Sequence, residues 1–188
     1  MNRMMITTIA LLGACTSGSD DKPRATKSKV SAERGKYLVT VGGCHDCHTP
    51  LAMGPTGPAP DMTRALSGHP AELVMPPAPV LPPGPWLVTA AATNTAWAGP
   101  WGVSFTANLT PAKTGLGAWT EQNFVDTIRN GRHMGAGRPL LPPMPAAQIA
   151  NLTDDDLKSV YAYLRTIPAI ENRVPDPIAP GPTQVTAK

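Results

Sequence analysis

The chain has 188 residues, 5% aromatic and 15% charged, with 23 prolines and 17 glycines; it has room for one domain with extensions and lies just short of compositions that default to disorder. Its net charge of +3 resides ahead of Ser31, and from Ser31 onward eleven Lys/Arg are matched by eleven Asp/Glu. That balance excludes the basic surface a nucleic-acid binder needs.

Arg3 is followed by an apolar-leaning run of eleven residues, 4–14, that ends in Leu12-Gly13-Ala14-Cys15. The run is too short to cross a bilayer as a helix, and residues 1–14 look like the signal peptide and lipobox of a bacterial lipoprotein. That resemblance implies cleavage before Cys15 and acylation of its sulfur and new amino group. Several acyl chains hold a membrane where one does not. An ordinary signal peptide with Cys15 incidental is the alternative, and either version exports the chain. Residues 15–30 are small, polar and charged without apolar periodicity, and read as a flexible tether. Its excess of basic residues suits either anionic headgroups or plain solvation.

Ser31 is a good N-cap for a helix through Val41, with Tyr37, Leu38 and Val41 on one side and Gly42-Gly43 as its stop. Cys44-His45-Asp46-Cys47-His48 comes next and spells C-x-x-C-H, the attachment sequence of a c-type haem. Two thiols one short turn apart reach two vinyl groups, and His48 is then held under the iron. A redox-active C-x-x-C pair belongs in a βαβ pattern, which is absent. A zinc site needs a second ligand pair, and only His69 and His133 remain downstream. A covalently held porphyrin would give this aromatic-poor chain a large apolar surface to pack against.

Residues 49–100 are dense in proline, which forbids long helices and weakens strands. A short helical piece is expected near residues 62–66 and extended or polyproline II chain elsewhere. Leu73, Val74, Val80, Leu81, Trp86 and Trp97 are expected to pin this arm to the core. Thr120 caps a helix bearing Phe124, Thr127 and Ile128, stopped by Asn130-Gly131, with Trp119 stapling its start. Thr153 caps the last helix, with Asp154, Asp155 and Asp156 in its positive first turn, Leu157, Val160, Tyr161 and Leu164 as an apolar stripe, and Pro168 as its close. From residue 169 the chain reads as an irregular extension. Residues 127–153 carry Arg129, Arg132 and Arg138 but no acidic residue. Such a collar suits anionic cofactor groups or steering of an acidic partner, or is simply solvated.

Three segments, Arg34-Gly35-Lys36-Tyr37-Leu38, Cys44 to His48 and residues 152–167, resemble bacterial class I c-type cytochromes, in particular those that accept electrons from periplasmic dehydrogenases. The resemblance covers residues 31–53 and 101–174. It implies an all-α cytochrome c fold over residues 31–175, with a long irregular proline-rich insertion at 49–100 and a tail at 176–188. The first and last helices would cross beside the haem, with Gly35 and Tyr37 at the contact. It also implies a methionine as second axial ligand just before the last helix, where Pro142-Pro143-Met144-Pro145 stands. Prolines on both sides would present the thioether of Met144 from a stiff loop. Met53, Met62, Met75 and Met134 are the other methionines to weigh, and His133 the rival of another type. Trp101, Phe105, Asn108 and Thr110 match a stretch that lines the haem edge. The expectation is one covalent haem c on Cys44 and Cys47, ligated by His48 and Met144. Its bearer would be a carrier rather than an enzyme, shuttling single electrons between a dehydrogenase and a downstream cytochrome or oxidase, exported and held to a bacterial membrane through lipidated Cys15 on the periplasmic side. A haem peroxidase and a five-coordinate haem sensor are the alternatives. Bacterial peroxidases of this kind carry two attachment motifs, and sensor-type relatives carry theirs near the C-terminus.

Overall fold

A computed structural model describes residues 29–79, 81 and 84–181. The expected signal peptide, Cys15 and nearly all of the tether lie outside the described residues.

Helix α1 (Ala32–Val41) begins where the Ser31 hydroxyl accepts the Arg34 amide at 3.1 Å, a cap worth about 1 kcal/mol. Gly42 closes it, and Gly43, at φ 64°, turns the chain into the short helix α2 (Cys44–His48). Helix α3 (Glu121–Asn130) opens on a capping box between Thr120 and Asn123 and ends at left-handed Gly131. A single turn, α4 (Ala146–Ile149), precedes α5 (Asp154–Leu164), whose N-cap Thr153 accepts the Asp156 amide at 3.1 Å.

Helices α1 and α5 cross at Gly35. A Cβ at that position would lie 1.9 Å from the Ser159 carbonyl oxygen, so the two backbones touch. The Ser31 amide donates to Ser159 Oγ at 3.2 Å and Arg34 pairs with Asp156 at 2.9 Å, which fixes the crossing on its polar flank. On the apolar side Leu38, Val39, Leu66, Phe124, Val125, Ile128, Leu157, Val160 and Leu164 form one core. Tyr37 and Val41 stand outside it, 57% and 61% exposed. The buried stripe of α1 is Gly35, Leu38 and Val39, because the glycine contact, not the largest side chain, sets which face turns inward. The expected contact at Tyr37 is therefore corrected: its ring lies under the Arg34 guanidinium, 5.4 Å from the centroid.

The all-α expectation is corrected as well. Strands β1 (Leu51–Gly54) and β2 (Gly57–Pro60) form an antiparallel hairpin with Leu51 opposite Pro60. Strands β3 (Thr89–Ala90), β4 (Ala96–Gly99) and β5 (Gly102–Phe105) form a second antiparallel sheet. Both are small because prolines interrupt the chain, and both turn on glycine: Gly57 at φ 119° and Gly102 at φ 93°, conformations open mainly to glycine. In β4 and β5 the strand-favouring Trp97, Val103 and Phe105 outweigh the local proline density. The tail is not wholly irregular either, since Ile178 exchanges two backbone hydrogen bonds with Val103, at 2.8 and 2.9 Å. A 3₁₀ turn at Met62–Arg64 meets the expected helical piece.

The expected apolar anchoring of the arm holds only in part: Leu73, Val74 and Trp86 are exposed, the last two at 85% and 77%, Leu81 and Trp97 are half-buried, and Val80 lies outside the described residues. Polar groups add to the fastening. Asn172, buried in the chain after α5, donates to the carbonyls of Ser67 and His69 at 2.7 and 2.8 Å and accepts the Ala71 amide at 2.9 Å. Each such buried bond contributes about 1 kcal/mol net and costs more when left half-made.

Candidate functional site

A cavity of about 490 Å³ opens between the end of α1, α2, residues 104–109, α3, the loop before α4, α5 and residues 173–177. Its size falls in the range of small-molecule and cofactor sites. Cys44, Cys47, His48 and Met144 all line it, with Phe105 and Leu157 among its apolar walls.

Helix α2 sets the first three. Cys44 and Cys47 stand three residues apart, on one face of a single turn, and His48 ends that turn buried, 8% exposed. His48 Nδ1 lies 2.8 Å from the Ala107 carbonyl oxygen. A carbonyl only accepts, so Nδ1 carries the proton and Nε2 keeps its lone pair free. Burial pushes the His48 pKa down, against the upward pull of the Ala107 carbonyl, and keeps the ring neutral. Burial pushes both thiols up. A redox-active C-x-x-C thiolate has the opposite tendency. Among the described residues no group of three or more His, Cys, Asp or Glu is placed to hold a metal ion, so the zinc reading finds no second ligand pair.

Met144 is presented by a built loop. Its amide donates to the Leu141 carbonyl at 3.2 Å, its carbonyl accepts the Ala146 amide at 2.9 Å, and the Ser104 hydroxyl donates to the Pro142 carbonyl at 2.6 Å. Met53, Met62 and Met134 are 80%, 61% and 42% exposed and line no part of the cavity. Met75 lines a separate depression of about 200 Å³ beside it. His133 does line the main cavity, its ring edge-on to Trp119 at 5.1 Å.

Of the residues expected at a cofactor edge, Phe105 and Asn108 line the cavity. Trp101 and Thr110 do not: Trp101 Nε1 donates to Ser104 Oγ at 3.3 Å, and the Thr110 hydroxyl donates to Asn108 Oδ1 at 2.7 Å. The arginine collar divides in the same way. Arg138 lines the cavity, whereas Arg129 is spent on the Ala150 and Leu152 carbonyls and Asp154, and Arg132 donates to the Gly137 carbonyl at 2.9 Å. Sequence reasoning missed Ala107, whose contribution is a backbone carbonyl, and Arg173, which the chain after α5 brings to the cavity rim.

Two thiols on one helical face, followed directly by a buried imidazole whose Nδ1 is tied back, are what covalent attachment of a haem requires. The class is thus a c-type haem protein. The family model for cytochrome c matches residues 32–168, and the chain belongs to the cytochrome c family, with haem c as its covalent cofactor. It is 28% identical over 164 residues to the fructose dehydrogenase cytochrome subunit of Gluconobacter japonicus, covering 86% of this chain and 26% of that protein. It is 26% identical over 149 residues to the cytochrome c subunit of the alcohol dehydrogenase (quinone) of Gluconobacter oxydans (strain 621H), covering 77% and 23%. The cytochrome c subunit of the gluconate 2-dehydrogenase of Pantoea cypripedii is 27% identical over 132 residues, covering 70% and 22%. The chain therefore spans about a quarter of the length of these curated relatives. Among the described residues no helix is long and apolar enough to cross a membrane.

Proposed function

We propose that this protein is an electron carrier with one haem c, joined to Cys44 and Cys47 and ligated by His48 Nε2 and Met144 Sδ. One observation supports this reading above the rest: His48, with Nδ1 committed to Ala107, and Met144, on a proline-braced loop, line the same cavity. The haem, when bound, supplies a reversible one-electron couple. The residues decide what that couple does. Two protein ligands leave no coordination position for oxygen, peroxide or substrate, which favours a carrier over a peroxidase or a five-coordinate sensor. Both ligands are neutral and the walls are apolar, so the extra positive charge of the oxidised state is disfavoured and the potential rises.

In this reading the donor is a dehydrogenase and the acceptor a further cytochrome or oxidase, in keeping with the names of the relatives. The chain is exported, and lipid on Cys15 holds it to a bacterial membrane on the periplasmic side. The test uses the holoprotein as purified. Its reduced form is expected to leave carbon monoxide unbound while exchanging electrons rapidly with a small outer-sphere oxidant. Ready carbon monoxide binding, or turnover of hydrogen peroxide, would overturn the carrier reading.

A further inference from the structure

We infer that residues 66–69, Leu-Ser-Gly-His, are a positioning bridge that holds the Ala107 carbonyl against His48 Nδ1 and thereby lowers the reduction potential of the haem. The inference rests on the haem reading above and deepens it, since the sequence assigned this segment only to the arm.

The bridge is bonded on both sides of the His48–Ala107 contact. Towards the attachment motif, the Gly68 amide donates to the carbonyl of His48 itself at 2.8 Å, and the Leu66 amide donates to the Thr49 hydroxyl at 2.9 Å. Towards the acceptor, the His69 amide donates to the Thr106 carbonyl at 3.0 Å, and the Leu109 amide donates to the Leu66 carbonyl at 2.8 Å. The 2.8 Å bond from His48 to Ala107 lies between these two sets. Its length is therefore fixed from outside the ligand loop.

All four bridge residues are buried. Leu66 is 1% exposed yet sits at φ 59°, and Gly68 at φ 78°. A buried leucine in the left-handed region is strained, and such strain persists where the surroundings over-determine it. The closeness of the fit is visible at Gly68, where a Cβ would lie 2.4 Å from the Thr106 carbonyl oxygen and 2.6 Å from the Ala107 carbonyl carbon. Backbone packs directly on the peptide that accepts from His48.

His69 locks the far end. It is fully buried, its Nδ1 3.0 Å from the Thr95 hydroxyl and its Nε2 donating to the Leu73 carbonyl at 2.9 Å, while the Thr95 carbonyl accepts the Thr106 amide at 2.9 Å. Asn172 then ties down the Ser67 and His69 carbonyls. The acceptor segment at residues 106–109, the bridge and the motif thus form one closed ring of hydrogen bonds.

Donation from Nδ1 makes the imidazole a more basic ligand. A more basic ligand stabilises the oxidised iron, so loosening the bridge raises the potential. The experiment compares holoprotein carrying Thr49→Val or His69→Gln with Val125→Ala, a truncation on α3 in the same core that removes none of the bridge's hydrogen bonds. Each bridge variant is expected to raise the reduced-to-oxidised ratio at fixed ambient potential by about tenfold, the lower end of the effect of second-layer partners at metal sites, with haem attachment and the low-spin spectrum kept. The Val125→Ala ratio is expected to stay at the wild-type value. An unchanged ratio in both bridge variants, or an equal shift in Val125→Ala, overturns the inference.

Wild-type amide exchange gives a reading that needs no variant. The amides of Leu66, Gly68, His69 and Leu109 are expected to exchange together and slowly, and free exchange at Gly68 overturns the bridge. A wild-type protein that lacks haem, or binds carbon monoxide at once, would instead defeat the haem reading, so the two failures are distinct.

Discussion

Gly35→Ala is expected to lower stability by at least about 3 kcal/mol, above the usual cost of overpacking, and to appear in denaturant titration as a lower midpoint. The reason is the 1.9 Å between a Cβ at this site and the Ser159 carbonyl oxygen, with the Ser159 carbonyl carbon at 2.5 Å and Tyr163 Cβ at 2.8 Å. Two of those three atoms are backbone and cannot rotate away. α1 and α5 must then separate, which opens the core at Leu38, Val39, Leu157 and Val160 and loosens the Arg34–Asp156 pair. Gly131→Ala is the right comparison. No atom lies within 4 Å of a Cβ there, and only its φ of 61° opposes the change, at a cost of about 1–2 kcal/mol. Equal losses in the two variants would mean that the helices do not cross in contact.

Met144→Ala is expected to abolish the weak far-red methionine-to-iron band of the oxidised protein, to lower its potential, and to let the reduced protein bind carbon monoxide. Alanine leaves no donor atom at the loop that faces the cavity, and water or an added ligand takes the position. The loop itself should keep its shape, because its bonds run through the backbone of Leu141, Pro142, Met144 and Ala146. Met75→Ala is expected to leave band and potential unchanged, since Met75 lines the neighbouring depression. If the band survives Met144→Ala and vanishes in another methionine variant, the ligand has been misplaced.

What the sequence revealed followed the range of the forces involved. Ser31, Thr120 and Thr153 cap their helices within three residues of themselves, so the signal for α1, α3 and α5 was local and readable. The attachment motif is likewise one turn of chain. The small sheets were not readable, because proline density in residues 49–100 argued against strands, and the left-handed turns at Gly57 and Gly102 show only in the fold. Tyr37 was placed inward by its spacing with Leu38 and Val41 and by the family resemblance, although the backbone contact at Gly35 decides the face. Arg173 and Asn172 reach the cavity rim and the arm across about 100 residues of chain, a distance no periodicity spans. Ala107 acts through a carbonyl that every residue carries, so no side-chain pattern marked it.

The account depends on a haem bonded to the polypeptide at α2. After co-expression with a haem-attachment system, trypsin cleavage at Lys36 and Arg64 releases a peptide of residues 37–64 that holds Cys44 and Cys47, and its mass is the decisive measurement. The expected result is the peptide mass plus one haem, with neither cysteine open to alkylation. A peptide of unmodified mass, with both thiols alkylated, would contradict the account.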